Sequence, residues 1–284
     1  MGNRVNPRTL LHARNLKAKK QLGQNFLADP STAAMIVERS HLSPDDCVLE
    51  IGAGMGSLTL PIADRVRRVF AVEKDRDLAE VLRTLLLQEK QDHVAVIEGD
   101  ILRLRMADII EQAGSPVVVM GNLPYNISSQ VLIRLIQSRQ GIKRAILMFQ
   151  KELADRLMAD AGSRDYGRIT VILRYCADIT PLAQVKAHLF YPKPKVDSEV
   201  VEITFKTHIE TPANDETLLV RVIQAAFGQR RKTLKNALSA GLSFLSASDT
   251  EQILNQVGID PVRRAETLSV AEFVVLSNAI HSRI

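Results

Sequence analysis

A glycine-rich turn that directly follows an apolar run constrains the fold of this chain more than any other feature of its sequence. Residues 48–51 read Val-Leu-Glu-Ile, and residues 52–56 read Gly-Ala-Gly-Met-Gly. Glycines permit a tight turn and let the backbone approach a ligand closely. The dinucleotide fingerprint Gly-x-Gly-x-x-Gly does not fit, because Ser57 stands where its third glycine would be. The pattern indicates a strand that ends at a nucleotide-type site, although a glycine turn alone is weak support for one.

Strand-like and helix-like stretches alternate along the first part of the chain. The strand-like runs are 47–51, 68–73, 94–97, 116–121 and 144–149, and the helical patterns are 31–40, 57–66, 76–88 and 128–138. Alternation of this kind predicts an α/β fold with a doubly wound, mostly parallel sheet. Two later runs, 169–176 and 199–205, have no helical stretch of useful length between them. We therefore expect an antiparallel addition at the sheet edge.

The C-terminal part of the chain shows only helical patterns. Residues 211–214 read Thr-Pro-Ala-Asn, which is typical of a linker, and the helical patterns after them are 215–227, 230–240, 249–256 and 269–281. The predicted organisation is a basic N-terminal tail, an α/β domain, a linker and a small all-α domain, with bounds 1–18, 19–206, 207–214 and 215–284.

Two acidic residues fall at strand ends where an adenosine would need hydrogen-bond acceptors. Glu73 ends the run 68–73, about 20 residues after Gly52, which is the placement of an acid that accepts from a ribose. Asp100 follows the run 94–97 and is suited to accept from the amine of an adenine. Each could instead begin a helix or cap a turn. Because parallel strands share one carboxyl edge, both acids and the glycine turn are expected in one site.

Residues 122–125, Asn-Leu-Pro-Tyr, close the run 116–121 and carry the groups that a nucleobase amine needs in order to attack an electrophile. The lone pair of such an amine is delocalised into the ring, and acceptors that hold its N–H protons localise it. Asn122 supplies an amide oxygen, and Tyr125 supplies a ring for a base that has left its helix. Pro124 removes a donor and stiffens the loop. The alternative is an ordinary strand-to-helix turn.

Together these motifs resemble those of the S-adenosylmethionine-dependent rRNA adenine N6-dimethyltransferases, and within that family those of the bacterial small-subunit branch. Three further stretches are similar to motifs of the family, and they are 19–27, 190–198 and 226–234. The resemblance implies a Rossmann-like methyltransferase sheet, S-adenosyl-L-methionine as cofactor and S-adenosyl-L-homocysteine as product. It also implies N6-dimethylation of two adjacent adenosines in the 3′-terminal hairpin of 16S rRNA, within immature small ribosomal subunits.

The resemblance assigns roles to individual residues. Those that would bind the cofactor are Gln24, Asn25, Leu27, Gly52, Gly54, Glu73, Asp100 and Asn122. Those that would receive the target adenine are Asn122, Leu123, Pro124 and Tyr125, with Phe190 on the other face of the base. Tyr191 offers a ring similar to that of Phe190, and a hydrophobic plug under a loop is the alternative for Phe190.

Two acid-free clusters of cations favour a polyanionic partner. The first precedes Asp29 and comprises Arg4, Arg8, Arg14, Lys17, Lys19 and Lys20. The second comprises Arg230, Arg231, Lys232 and Lys235, and it is predicted to bind RNA. The alternatives are a solvated tail and a solvated helix face.

The composition is that of an ordinary globular protein, with 46% hydrophobic and 24% charged residues in 284. Cys47 and Cys176 lie in apolar runs without metal-ligand spacing, and the six histidines are scattered, so no metal site is expected. No apolar run approaches the roughly 18 residues of a membrane span, and no signal-type core follows the basic N-terminus. These features predict a cytoplasmic, metal-free monomer that does not bind membranes.

Two other functions remain open from the sequence. A 23S rRNA adenine dimethylase of the macrolide-resistance type would use the same chemistry, and the two groups share the region around 226–234. A noncatalytic ribosome-assembly or RNA-binding factor could keep the same fold. A pure binder, however, would not need the glycine turn, both acids and residues 122–125 together.

Overall fold

The computed structural model describes residues 7–229 and 231–284, and these form two compact units. The first unit runs to Ala154 and resumes with Ile179–Phe205. The second comprises Asp155–Asp178 and Lys206–Ile284. The boundary after Phe205 lies next to the expected end of the α/β domain at 206, but Asp155–Asp178, which was expected in that domain, clusters with the C-terminal helices.

Most strands of the described residues belong to one mixed sheet. Their bounds are β1 (Phe26–Leu27), β2 (Cys47–Ile51), β3 (Arg68–Glu73), β4 (Val94–Glu98), β5 (Val117–Asn122), β6 (Ile142–Gln150), β7 (Ala177–Val185), β8 (Phe190–Tyr191) and β9 (Ser198–Phe205). The seven-stranded sheet has the order β4-β3-β2-β5-β6-β9-β7, and β1 pairs with β8 in a separate antiparallel ribbon. Strands β2 to β6 run parallel, whereas β9 is antiparallel to β6. The predicted α/β class with an antiparallel edge is confirmed.

The order of the strands reverses at β2. Both of its neighbours, β3 and β5, are parallel to it, so the chain leaves β2 on one side and returns on the other. The carboxyl ends of β2 and β5 therefore form a topological switch point, where open α/β sheets bind their ligands. All of β2 is buried, as expected for a parallel strand that is covered on both faces.

Six helices accompany this sheet, and side-chain caps define two of them. Their bounds are α1 (Pro7–Ala13), α2 (Pro30–Arg39), α3 (Thr59–Ala63), α4 (Arg76–Gln88), α5 (Met106–Ala113) and α6 (Ser128–Gln137). The Asp29 carboxylate accepts from the Thr32 amide at 2.9 Å, and Asp75 caps α4 in the same way. Helix α1 lies within the predicted basic tail, and Leu11 anchors it with only 3% of its surface exposed.

Gly121 lets β5 approach β2 closely at the switch point. A Cβ at this position would lie 2.5 Å from the carbonyl oxygen of Ile51, which is too close for any side chain. The neighbouring residue is Asn122, so this close approach sets the distance between the loop that begins at Asn122 and the glycine turn after β2.

The second unit is helical. Its helices are α8 (Arg168–Cys176), α9 (Glu216–Gly228), α10 (Leu234–Gly241), α11 (Ala247–Gln256) and α12 (Val270–His281), and α7 (Lys151–Met158) spans the boundary between the units. Tyr166, Phe227 and Phe273 form an aromatic row, with ring centroids 6.3 and 5.8 Å apart. Within residues 7–229 and 231–284, no helix combines the length and the apolar character needed to cross a membrane.

The expectation of a strand over 169–176 is wrong. These residues form α8, and the strand that adds to the sheet edge is β7, which begins at Ala177. A short apolar run with β-branched residues fits either structure. Thr170, Val171, Leu173, Tyr175 and Cys176 are buried on several sides of this helix, and packing in the second unit selects the helix.

Candidate active site

A deep pocket opens at the carboxyl ends of the central strands, in the first unit. Its lining includes every residue predicted for the cofactor and the target base except Phe190: Gln24, Asn25, Leu27, Gly52, Gly54, Glu73, Asp100, Asn122, Leu123, Pro124 and Tyr125. The sheet topology explains why these distant residues meet, because they follow β2, β3, β4 and β5 at one edge. The segment 21–27 covers the same pocket.

The glycine turn after β2 exposes backbone rather than side chains to the pocket. Gly52, Gly54 and Gly56 have φ angles of 75°, 55° and 83°, a region that other residues rarely adopt. A Cβ on Gly54 would also lie 3.4 Å from the ring of Phe26. The turn is held in place because the Gly54 amide donates to Glu73 Oε2 at 2.7 Å.

Glu73 lies at the centre of the pocket wall and joins two segments. Its Oε2 accepts from Gly54 and its Oε1 accepts from the Asp75 amide at 2.7 Å, so one carboxylate connects the glycine turn to the start of α4. Burial raises the pKa of Glu73, and these backbone N–H groups oppose the shift. A carboxylate has about four acceptor positions, so it can still accept two hydrogen bonds from a bound diol.

Asp100 is fixed in the turn that follows β4. Its Oδ1 accepts from the Leu102 amide at 3.0 Å, and its Oδ2 accepts from Lys74 Nζ at 2.9 Å. Burial acts to raise the pKa of Asp100, but the hydrogen bonds from Lys74 and Leu102 outweigh it and leave that pKa below its ordinary value. The group is therefore an ionised acceptor at neutral pH.

The segment that covers the pocket is tied to Asp75. Lys19 Nζ and Gln24 Nε2 donate to the two oxygens of this carboxylate at 2.7 and 2.8 Å, and Gln24 Oε1 accepts from the Lys19 amide at 2.7 Å. The side chain of Asp75 is only 2% exposed. Burial acts to raise the pKa of Asp75, but the hydrogen bonds from Lys19 and Gln24 outweigh it and lower that pKa. Both ends of the Gln24 amide are thus used to hold the segment itself.

The loop after β5 presents two acceptors towards the pocket. Asn122 Nδ2 donates to the carbonyl of Asn25 at 2.8 Å, which leaves the amide oxygen of Asn122 pointing away from that contact. The Pro124 carbonyl already accepts from the Ile127 amide and the Ser128 hydroxyl, at 3.1 and 3.2 Å. Among the described residues nothing donates to the Leu123 carbonyl. The Asn122 amide oxygen and the Leu123 carbonyl are therefore the candidate acceptors of this loop.

The aromatic side chains near this loop differ in their exposure to the pocket. Tyr125 lines it, and its hydroxyl lies 3.2 Å from Ser198 Oγ, which fixes the ring from the side of β9. Burial raises the pKa of Tyr125. Phe190 is only 3% exposed and packs in the hydrophobic core, and Tyr191 packs in a neighbouring cluster beneath the guanidinium of Arg8.

Glu50 was not among the predicted site residues, yet it lines the pocket. It is 1% exposed in the middle of β2, and its Oε2 has no hydrogen-bond partner among the described residues. Burial raises its pKa to about 8, the nearby Thr59 hydroxyl opposes this, and the charge of Glu73 adds to it. The Thr59 hydroxyl itself makes no hydrogen bond of good geometry. A charged residue inside the apolar run 48–51 was the available signal.

The predicted RNA-binding residues lie in the second unit. Arg230 is outside the described residues. Arg231 and Lys232 are exposed between α9 and α10, whereas Lys235 forms an ion pair with Glu251. Lys235 thus carries less free positive charge than its neighbours. The described residues contain no group of three or more His, Cys, Asp or Glu that could hold a metal ion.

Comparison with known proteins gives consistent matches along nearly the whole chain. A family model described as ribosomal RNA adenine dimethylase matches residues 15–280. The Ribosomal RNA small subunit methyltransferase A of Desulforapulum autotrophicum is 48% identical over 276 residues, which cover 97% of this chain and 96% of the relative. The crystal structure of a dimethyladenosine transferase from Plasmodium falciparum has a TM-score of 0.75 and 26% identity, covering 88% of this chain and 95% of that one. The 23S rRNA methyltransferase ErmE has a TM-score of 0.67 and 25% identity, covering 90% and 99%.

The buried Glu50 predicts a measurable dependence of stability on pH. Its carboxyl loses a proton near pH 4.5 when exposed and near pH 8 when folded, so the folded state binds more protons between these values. The free energy of unfolding should therefore fall with rising pH, by about 1.4 kcal/mol per pH unit from this group. Glu50→Gln removes that contribution. The free energy of unfolding is measured by urea unfolding at pH 5.5 and at pH 7.5. Between these two pH values it should fall by about 2–3 kcal/mol less in Glu50→Gln than in the parent.

The exposed Glu111 provides the matched control, because Glu111→Gln should keep the pH dependence of the parent. Equal pH dependence in the parent and in Glu50→Gln would mean that Glu50 is ionised in the folded protein at neutral pH.

Proposed function

The chain belongs to the ribosomal RNA adenine dimethylase family, and from this we propose that it dimethylates N6 of two adjacent adenosines in the 3′-terminal hairpin of 16S rRNA. The methyl donor in this proposal is S-adenosyl-L-methionine, and the product is S-adenosyl-L-homocysteine. The observation that carries the proposal is the shared pocket. The glycine turn and two acids suited to a nucleoside face the same space as the acceptors of the loop 122–125.

The residues of the pocket fit S-adenosylmethionine. The positive-φ glycines leave a cradle that a Cβ would partly fill, and Glu73 and Asp100 are acceptors for a ribose diol and an adenine amine. We assign the methionine end of the cofactor to Gln24, Asn25 and Leu27, with Gln24 acting through its contact to Asp75. Burial raises the pKa of Glu50 to about 8, so its carboxyl is mostly neutral in the free pocket, and a cationic ligand would favour its ionised form. The cofactor would supply a methyl group on a positively charged sulfur.

The loop 122–125 prepares the amine of the target adenine. Asn122 Oδ1 and the Leu123 carbonyl accept its two N–H protons, which localises the nitrogen lone pair in a tetrahedral direction that faces the methyl group. No strong base is needed, because the amine becomes acidic once it is alkylated and releases its proton to water. The task of these residues is alignment and electrostatic complementarity. A neutral amide also suits a second methylation, since it does not clamp the monomethylated amine as a carboxylate would.

Stacking holds the flipped base against this loop. Tyr125 lines the pocket and is braced by Ser198, so it is the ring on which we expect the adenine to stack, a contact worth about 1–3 kcal/mol. Phe190 is packed in the core in this conformation. Its proposed contact with the second face of the base requires residues 190 and 191 to shift when RNA binds.

The small subunit is the substrate that similarity favours over the large one. The relative named as a small-subunit methyltransferase is 48% identical, whereas the 23S rRNA methyltransferase ErmE is 25% identical. A noncatalytic assembly factor is the weaker alternative, because the pocket retains every acceptor that the reaction needs. The protein would act as a monomer in the cytoplasm on immature small subunits, without a metal, and Arg230, Arg231, Lys232 and Lys235 would contact phosphates.

Methyl transfer to ribosomal particles tests the proposal directly. The purified protein is incubated with methyl-labelled S-adenosylmethionine and with immature small subunits that lack the modification, and the labelled nucleotides are mapped. We expect dimethyladenosine at two adjacent positions of the 3′-terminal hairpin of 16S rRNA. A parallel reaction contains unmodified 23S rRNA in place of the small subunits. Label that appears only in the 23S rRNA supports the large-subunit alternative, and the absence of label in both reactions supports the noncatalytic one.

The role of Asn122 predicts that its loss affects rate far more than binding. Asn122→Ala removes one preorganised acceptor, which typically lowers turnover by roughly two to three orders of magnitude. RNA affinity should stay close to that of the parent, because phosphate contacts supply most of it. Single-turnover methyl transfer, RNA affinity and thermal midpoint are measured on the same protein. The exposed Ser129 gives a control in Ser129→Ala, which should keep the parent rate. A loss of rate that unfolding accounts for would remove Asn122 from the reacting groups.

The second cation cluster predicts a change in the salt dependence of RNA binding. Replacing Arg230, Arg231 and Lys232 by Ala should lower RNA affinity. The slope of log affinity against log salt concentration should become shallower by an amount equal to the loss of up to about three phosphate contacts. Cofactor affinity should be spared. The control replaces three exposed cations of the first unit, Arg65, Lys90 and Arg105. If both triple variants keep the slope of the parent, the cluster is only a solvated surface.

A further inference from the structure

Arg134 reaches from helix α6 to the turn that carries Asp100. Its Nη1 donates to the carbonyl of Leu102 at 2.6 Å, and its Nη2 donates to the carbonyl of Leu104. The Nε of the same guanidinium is buried without a partner. Leaving the Nε donor of a half-buried cation without a partner costs free energy. The side chain nevertheless keeps this position, in which it makes two hydrogen bonds to a single turn.

The two carbonyls that Arg134 holds belong to residues that also hold Asp100. The Leu102 amide donates to Asp100 Oδ1 at 3.0 Å, and the Leu104 amide donates to the Asp100 carbonyl at 3.0 Å. The turn is therefore hydrogen-bonded on two sides, because its N–H groups donate to Asp100 and its C=O groups accept from Arg134. A shift of Leu102 or Leu104 would move the Asp100 carboxylate with it.

Helix α6 connects this turn to the loop that would receive the target base. The helix begins at Ser128, whose hydroxyl donates to the carbonyl of Pro124, and the Val131 amide donates to the Ile127 carbonyl at 2.9 Å. Arg134 lies further along the same helix. One rigid element thus carries the loop 122–125 at its start and the anchor of the Asp100 turn in its body.

We propose that Arg134 is a positioning residue that sets the Asp100 carboxylate for recognition of the purine amine of the cofactor. This rests on the proposed function only in that the ligand carries an adenine. The planar guanidinium suits the task, because it reaches two carbonyls at a fixed spacing, and the single ammonium of a lysine does not. Arg134 itself touches neither the cofactor nor the target base.

The test compares two ligands that differ at the group Asp100 would recognise. S-Adenosylhomocysteine carries an amine at C6 of the purine, and S-inosylhomocysteine carries a carbonyl there. Their affinities are measured by calorimetry for the parent, Arg134→Gln, Arg134→Lys and Arg105→Gln. Arg105 lies in the same turn, pairs with Asp108 and is largely exposed, so Arg105→Gln is the matched control.

The parent should prefer the adenosyl ligand, and Arg134→Gln should reduce that preference by roughly tenfold, the value of one charged hydrogen bond. Affinity for the inosyl ligand should change little. Arg134→Lys should retain part of the preference for the adenosyl ligand over the inosyl ligand. Arg105→Gln should retain all of that preference. Turnover at saturating cofactor should fall by less than about threefold in Arg134→Gln, because the acceptor loop is not altered.

The outcomes that overturn the proposal separate a purely structural role of Arg134 from a failure of the Asp100 assignment. If Arg134→Gln keeps the full preference of the parent, or if both affinities fall together with the thermal midpoint, Arg134 supports the fold and does not set Asp100. If Arg134→Gln does not fold, the same comparison is made with Arg134→Lys, where an unchanged preference has the same meaning. If the parent itself binds both ligands equally, the assignment of Asp100 to the adenine amine fails, and the inference fails with it.

Discussion

Two buried carboxylates separated by one residue, Glu73 and Asp75, connect the segments that surround the pocket. Glu73 accepts from the Gly54 amide and from the Asp75 amide, which joins the glycine turn to the start of α4. Asp75 accepts from Lys19 and Gln24, which joins α4 to the covering segment. A buried charge is stable only when it is hydrogen-bonded, and here the partners are backbone N–H groups for Glu73 and the side chains of Lys19 and Gln24 for Asp75. The geometry of the pocket therefore depends on these two groups.

The concentration of acids at one sheet edge has an energetic consequence. Glu50, Glu73 and Asp100 all line the pocket, and burial raises the pKa of the first two, which shows that desolvation outweighs their hydrogen bonds. Ionising Glu50 or Glu73 in the folded protein therefore costs free energy. A cationic ligand lowers that cost when it binds, because it favours the ionised forms. Carboxylates at this edge suit the positively charged methyl donor of the proposed reaction.

Local sequence patterns predicted the sheet and its strand-end residues, whereas long-range contacts were beyond them. Strand β2 begins at Cys47 and ends at Ile51 as expected, because glycine stops an apolar run sharply. Glu73 and Asp100 were predicted to lie together because both stand at the carboxyl ends of parallel strands, which meet at one edge of the sheet, and both line the pocket. The helix α8 was mistaken for a strand, because its apolar run is short and only packing decides its structure. The contact of Arg134 with Leu102 spans 32 residues, and no local spacing encodes it.

The covering segment also contacts the loop 122–125 on the other side of the pocket. Asn122 donates to the carbonyl of Asn25, and because an amide has its donor and its acceptor on opposite sides, this contact decides where the acceptor points. Without the segment in place, the Asn122 amide could rotate and present N–H groups to an amine that also carries only N–H groups. Gln24, next to Asn25, is fixed by Asp75. In the proposed function, the segment assigned to the cofactor would therefore also orient the acceptor assigned to the target base.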